Sequence, residues 1–168
     1  MKAPHHALKD SATIEFELEV SEQENERVIT LGYKCASWNM LVCNGVMAEV
    51  LPLPKVNPVP RSPGYCWGIC NIRGNIIPVF DLSEKLTGQS EFKPRDVFYV
   101  LLQGNSNSQV GIVINQIPKS MQFERQQIMG QSSYLPEDLN EYVKNVYRQD
   151  EEVWHELDVE GLLKAVKG

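Results

Sequence analysis

The chain has 168 residues, 42% of them hydrophobic, with a formal net charge of -6 and a pI near 5.1. That length supports one globular unit with a real core, or two small subunits of structure sharing one. Lys and Arg are scattered rather than striped, which argues against nucleic acid as a partner. No apolar run approaches the ~20 residues that span a bilayer.

The start, MKAPHHALKDSATIEF, lacks the apolar core of a signal peptide, so a cytoplasmic protein is expected. Residues 1–12 read as a loose tail. His5 and His6 are adjacent in it, but no Cys or carboxylate cluster joins them as metal ligands. Ile14, Phe16, Leu18 and Val20 alternate with Glu15, Glu17 and Glu19, a period of two that predicts a strand. The polar SEQENER that follows reads as loop or a short helical turn.

From Val28 the pattern is β. VITLGYKC and MLVCNGVMAEVL are apolar runs, with ASWN as a hairpin tip between them and Asn44-Gly45 as a second turn. Pro52, Pro54, Pro58, Pro60 and Pro63 then make a central strand or a helix interior untenable. Leu51, Leu53, Val56 and Val59 give this extended connection something to bury. YCWGICNI and NIIPVFDL are the next strands, and Asp81–Leu86 reads as a helical turn. VFYVLLQ and QVGIVINQI flank GNSNS as a hairpin.

PKSMQFERQQIMGQSS reads as irregular. Beyond it, Leu135, Leu139, Tyr142, Val143 and Val146 have helical spacing, with Pro136 suited to a first turn. EYVKNVY and EVWHEL also read as two short strands around RQDE, and the residues leave both readings open. DVEGLLKAVKG predicts a helix with Asp158 as N-cap. The tally is nine or ten short strands with few helices, an all-β pattern of small barrels or a sandwich.

Chemistry is sparse. Hydrolase, P-loop, zinc-protease and paired C-x-x-C motifs are absent. His155 is the only histidine outside the tail, and nothing in the sequence pairs with it as general base work requires. Cys66 and Cys70 lie about 13 Å apart if the segment is extended, too far for a disulfide or a shared zinc. Buried, reduced cysteines are expected, and no cofactor or metal.

The informative stretch is Ile72-Arg73-Gly74-Asn75-Ile76, a charge between two apolar strands. Gly74 supplies the positive φ of a tight turn. Asn71 can lock the turn by bonding its backbone. Arg73 must then project outward, either as a solubilising turn residue or as a donor fork for a partner's carboxylate or carbonyl. Glu49, inside the apolar VMAEVL, poses the same choice, and Met47 shares its face.

MAEVL, the proline-bearing connection, P-G-Y-x-x-G-I-x-N-I-R-G-N-I-I-P-V-F-D-L and the later G-I-V-I-N-x-I closely resemble the pattern of CheW-like domains, over about Val28 to Val166. The resemblance implies two small SH3-like five-stranded β-barrels packed on a shared hydrophobic core. It implies a tail and strand over 1–27 and one domain of two intertwined barrels over 28–168. It implies a non-enzymatic adaptor, with one surface for the regulatory domain of a CheA-type histidine kinase. Another surface, near the groove between barrels, would bind the cytoplasmic tip of a methyl-accepting chemoreceptor. Carried over by position, Met47, Glu49, Asn71, Arg73 and Gly74 are the partner-binding residues.

Three features depart from the pattern: Asn115 stands where the family usually has Asp, and Trp67 and the proline density before it are unusual. The long start and VWHELDVEGLLK resemble the PilI-type subgroup of type IV pilus twitching systems. Rival readings are a small ligand-binding β-barrel, an enzyme built around His155, and a regulatory module derived from a kinase fusion.

Overall fold

The structure is a computed structural model that describes residues 27–105, 107–130 and 134–165. The predicted strand over Ile14–Val20 and the His5–His6 pair lie outside the described residues.

Among the described residues, eleven strands form two curled sheets. In chain order they are β1 (Arg27–Cys35), β2 (Trp38–Val42), β3 (Met47–Pro52), β4 (Cys66–Ile72), β5 (Asn75–Phe80), β6 (Tyr99–Asn105), β7 (Ser108–Ile114), β8 (Lys119–Glu124), β9 (Ile128–Gly130), β10 (Val143–Gln149) and β11 (Glu152–Leu157). Helix α1 (Leu82–Thr87) follows β5 and helix α2 (Val159–Ala165) follows β11. The first sheet runs β8-β1-β2-β11-β10-β9 and the second β3-β6-β7-β5-β4. The chain starts in the first sheet, builds all of the second, and returns to finish the first, so the two are intertwined. One sheet has six strands rather than the expected five; β9, three residues long, is among the shortest additions an edge can take.

The run MLVCNGVMAEVL divides where Asn44-Gly45 turns the chain from β2 in one sheet to β3 in the other. The uninterrupted apolar character of β6 and β7 has a packing cause, since both of their faces are buried. Val100, Leu102 and Val113 fill the second barrel with Ile77 and Val79. Leu101, Val110, Ile112 and Ile114 face the other way, into a core shared with Tyr33, Met40 and Leu157 of the first sheet and Leu162 of α2. Leu41, Phe123, Tyr147 and Trp154 fill the first barrel.

Two expectations change. Lys119–Glu124, read as irregular, is a strand paired along Arg27–Gly32. Its SMQFE alternates in burial, but Phe123 is its only fully buried apolar side chain, so the pattern is weak. The helical spacing of Leu135 to Val146 covers a six-residue 3-10 helix, Glu137–Tyr142, and then breaks into β10 at Val143. The two-strand reading holds for the rest, because β10 and β11 pair antiparallel.

Asp81 caps α1 by accepting from the Glu84 N–H at 3.1 Å and the Ser83 hydroxyl at 2.5 Å. Asp158 caps α2, accepting from the Gly161 N–H at 2.9 Å. The proline-rich connection is ordered. Asn57 and Ile69 exchange both backbone hydrogen bonds, at 2.8 and 2.9 Å, laying the connection against the outer edge of β4. Gly68 makes this approach possible, since a Cβ there would meet the Asn57 carbonyl oxygen at 2.1 Å. Trp67 lies edge-on to Phe92 and Phe98, with ring centroids 5.7 and 5.3 Å away, so this unusual tryptophan covers the second barrel. Among the described residues no helix is long and apolar enough to cross a membrane.

Candidate partner-docking site

The site is built on the two-residue turn between β4 and β5. Ile72 pairs with Asn75, leaving Arg73 and Gly74 as the turn residues. Both have positive φ, 52° and 85°, the conformation that suits a right-twisted hairpin. Asn71 Oδ1 accepts the Gly74 N–H at 2.9 Å and closes the loop, as its side chain allowed.

Arg73 points outward, with 66% of its side chain exposed. Its fork is not vacant, however. Nη1 donates to Glu49 Oε2 at 2.8 Å and Nη2 to Oε1 at 2.5 Å, a bidentate pair. The expectation of a guanidinium held out for another protein's carboxylate is therefore amended: this chain's own carboxylate occupies it. The hydrogen bond from Arg73 holds the Glu49 carboxyl below its usual range, and the same bond raises Arg73 further.

The pair also reports on the fold. Glu49 is in β3 and Arg73 follows β4, the two edge strands of the same sheet. Laid flat, five strands would hold those edges about 19 Å apart. Contact at hydrogen-bond distance requires the sheet to roll up. Direct cross-strand partners share a face, and Glu49 lies opposite Leu102, whose side chain is inside the barrel. Glu49 therefore sits on the interior face at the barrel's open end, and Arg73 closes over it.

Four of the five predicted residues, Glu49, Asn71, Arg73 and Gly74, thus form one constellation. Met47 shares Glu49's strand face and is 60% exposed. Sequence reasoning passed over Ile76, which lies directly across from Asn71 and is 61% exposed. Its signal was the period of NIIPVF, which places Ile77 and Val79 inside and Ile76 out. A groove of about 320 Å³ begins beside it, lined by Asn75, Ile76, Pro78, Asn107, Leu163 and Lys164. Asn115 donates its amide to Asp96 Oδ2 at 3.2 Å, a contact that an aspartate there would turn into repulsion.

Other candidate groups are structural. His155 is buried, with Nδ1 3.2 Å from the Asn39 carbonyl oxygen and Nε2 accepting the Tyr134 N–H at 3.3 Å. Burial holds its pKa below the ordinary value. Both ring nitrogens are committed to backbone, so it has none left for a general base's task. The four cysteines are free thiols. Burial pushes Cys43 up to about 12 and raises Cys35 and Cys70 as well. No local pattern marks the buried Glu156, which accepts from the Asn44 N–H at 2.6 Å, Asn145 Nδ2 at 2.7 Å and the Tyr147 hydroxyl at 3.2 Å. It ties the crossing between sheets to β10.

Residues 31–167 match the CheW-like domain. The chain is 25% identical over 121 residues to the chemotaxis protein CheW of Treponema pallidum, covering 70% of this chain and 71% of that one. It is 26% identical over 147 residues to the chemotaxis protein CheW of Helicobacter pylori, covering 85% and 86%. A shorter likeness, 34% over 58 residues, joins it to protein FrzA of Myxococcus xanthus, 34% of this chain and 36% of that one. The fold matches the scaffolding protein TtCheW of Thermoanaerobacter tengcongensis with a TM-score of 0.65 at 17% identity, over 78% of this chain and 84% of that one. With most of its length matched, the chain belongs to the CheW-like domain family, a family of non-catalytic adaptors.

Proposed function

We propose that this protein is a chemotaxis-type scaffold that couples the cytoplasmic tip of a methyl-accepting chemoreceptor to the regulatory domain of a CheA-type histidine kinase, working at membrane receptor arrays. The observation that carries this reading is the tight turn whose Arg73 pairs with Glu49 of β3, presenting a preset ion pair at the exposed end of one barrel near the exposed Met47 and Ile76. A rigid charged centre bordered by apolar side chains suits a modest signalling interface. A partner can use the remaining N–H groups of Arg73 or exchange its own carboxylate for Glu49.

Coupling has a physical path. β6 and β7 contribute side chains to both the second barrel and the shared core. A shift at one face is therefore felt at the other, and the coupling must be reciprocal. Weak pairwise contacts are compensated by multivalent assembly. The ligand-barrel reading is disfavoured because Val79, Val100, Leu102 and Val113 fill the second barrel.

For output, the likeness of Val153–Lys164 to the PilI-type subgroup supports twitching motility on type IV pili. Loss of twitching with swimming retained, on deletion of the gene, is the expected result. The coupling role is tested by mixing the purified chain with a kinase regulatory domain and a receptor-tip fragment. A ternary complex that either partner alone does not form supports it, and failure to bind both partners rejects it.

A further inference from the structure

Among the described residues the chain passes between the two sheets twice, after β2 and after β7. The first crossing leads directly into Met47 and Glu49. It is a tight turn in which the Val46 N–H donates to the Cys43 carbonyl oxygen at 3.1 Å and Gly45 takes a φ of 81°. Beyond it, β3 ends its sheet, laddered to β6. The leading end of β3 gains little from packing, because Val46 and Met47 are 38% and 60% exposed. Side chains of the first sheet hold the crossing instead. The Thr30 hydroxyl donates to the Val42 carbonyl oxygen at 2.6 Å, and Glu156 Oε1 accepts the Asn44 N–H at 2.6 Å.

Glu156 reaches the crossing from inside the first barrel. It is buried, and its ladder partner Leu41 belongs to the filling of that barrel. Its two oxygens serve different elements. Oε1 takes the crossing, while Oε2 accepts Asn145 Nδ2 at 2.7 Å and the Tyr147 hydroxyl at 3.2 Å, both on β10. Burying a carboxylate is costly, and an apolar residue of similar volume is often as stable or more so. What the carboxylate supplies, and such a residue cannot, is a directed acceptor for the Asn44 N–H. We propose that Glu156 is a positioning residue for the docking pair: held by β10, it fixes the crossing turn and so sets where β3 presents Glu49 to Arg73. The interior of the first barrel is thereby linked to the exposed end of the second. The consequence for partner binding rests on the docking reading above; the placement of Glu49 does not.

The test uses the full chain and needs no partner, so its failure is distinct from a failure of the coupling role. The Glu49 carboxyl is titrated by NMR of its carboxyl carbon; in the wild type the hydrogen bond from Arg73 holds it below the usual carboxylate range. In Glu156→Leu its midpoint rises by at least about half a pH unit as the pair loosens. Asn145→Ala/Tyr147→Phe keeps the carboxylate but unties it from β10; it moves Glu49 in the same direction and stands in should the leucine variant fail to fold. Leu139→Ala removes a buried side chain from the shared core, which lowers the urea midpoint and leaves Glu49 unmoved. An unmoved Glu49 in a folded Glu156 or β10 variant overturns the proposal. An equal rise in Leu139→Ala also overturns it, since general loosening then accounts for the shift.

Discussion

Arg73 and Glu49 join the two edges of one sheet through paired hydrogen bonds of 2.8 and 2.5 Å. The contact is exposed, and exposed pairs contribute little to stability. Arg73→Glu should therefore move the melting temperature by less than about 2 °C, while placing two carboxylates at the docking turn. The swap Glu49→Arg/Arg73→Glu restores opposite charges but not the guanidinium on the turn. Partner binding measured by calorimetry should stay weak in the swap; full recovery would mean that the pair serves geometry alone.

Gly68 and Gly74 separate a steric requirement from a conformational one. Both have positive φ, but a Cβ on Gly74 meets nothing within 4 Å, whereas on Gly68 it meets the Asn57 carbonyl. Gly74→Ala should cost about 1 kcal/mol, the ordinary penalty of left-handed backbone. Gly68→Ala must push the proline-rich connection off β4 and should cost about 3 kcal/mol or more. Urea unfolding of the two variants side by side checks the order.

His155 gives a pH dependence of defined sign. Burial lowers its pKa in the folded protein, so the unfolded chain binds the proton more readily. Its contribution to stability is complete above the unfolded value near 6.5 and is lost as pH falls through the lower folded value. Protonation also turns Nε2 from an acceptor into a donor facing the Tyr134 N–H. Melting temperature should fall from pH 7 to pH 5 more steeply in the wild type than in His155→Gln.

Much of this was legible in the residues because it is local. The hairpins, the Asn71 lock, the Gly74 turn and the Asp158 cap each depend on neighbours within a few positions. What escaped is non-local. Glu49 reads as a lone carboxylate until the sheet curls and brings Arg73 to it. Gly68 has no evident reason until the connection after β3 returns to β4. The helical spacing of Leu135 to Val146 fails at Val143, where pairing with β11 overrides local periodicity.

Glu156 belongs to the same non-local class. Its carboxylate is buried and accepts three hydrogen bonds from two separate stretches of chain, one at Asn44 and one at Asn145 and Tyr147 of β10. Glu156→Ala leaves those donors unpaired and should destabilise by about 3 kcal/mol, read as a lower denaturation midpoint with an unchanged slope.

The most direct test of the docking account is the affinity of Arg73→Glu for the kinase regulatory domain and the receptor tip, measured alongside its thermal unfolding. The account predicts at least tenfold weaker binding to one of them with the melting temperature held. Wild-type affinity for both, or a loss of binding that tracks a loss of stability, would contradict it.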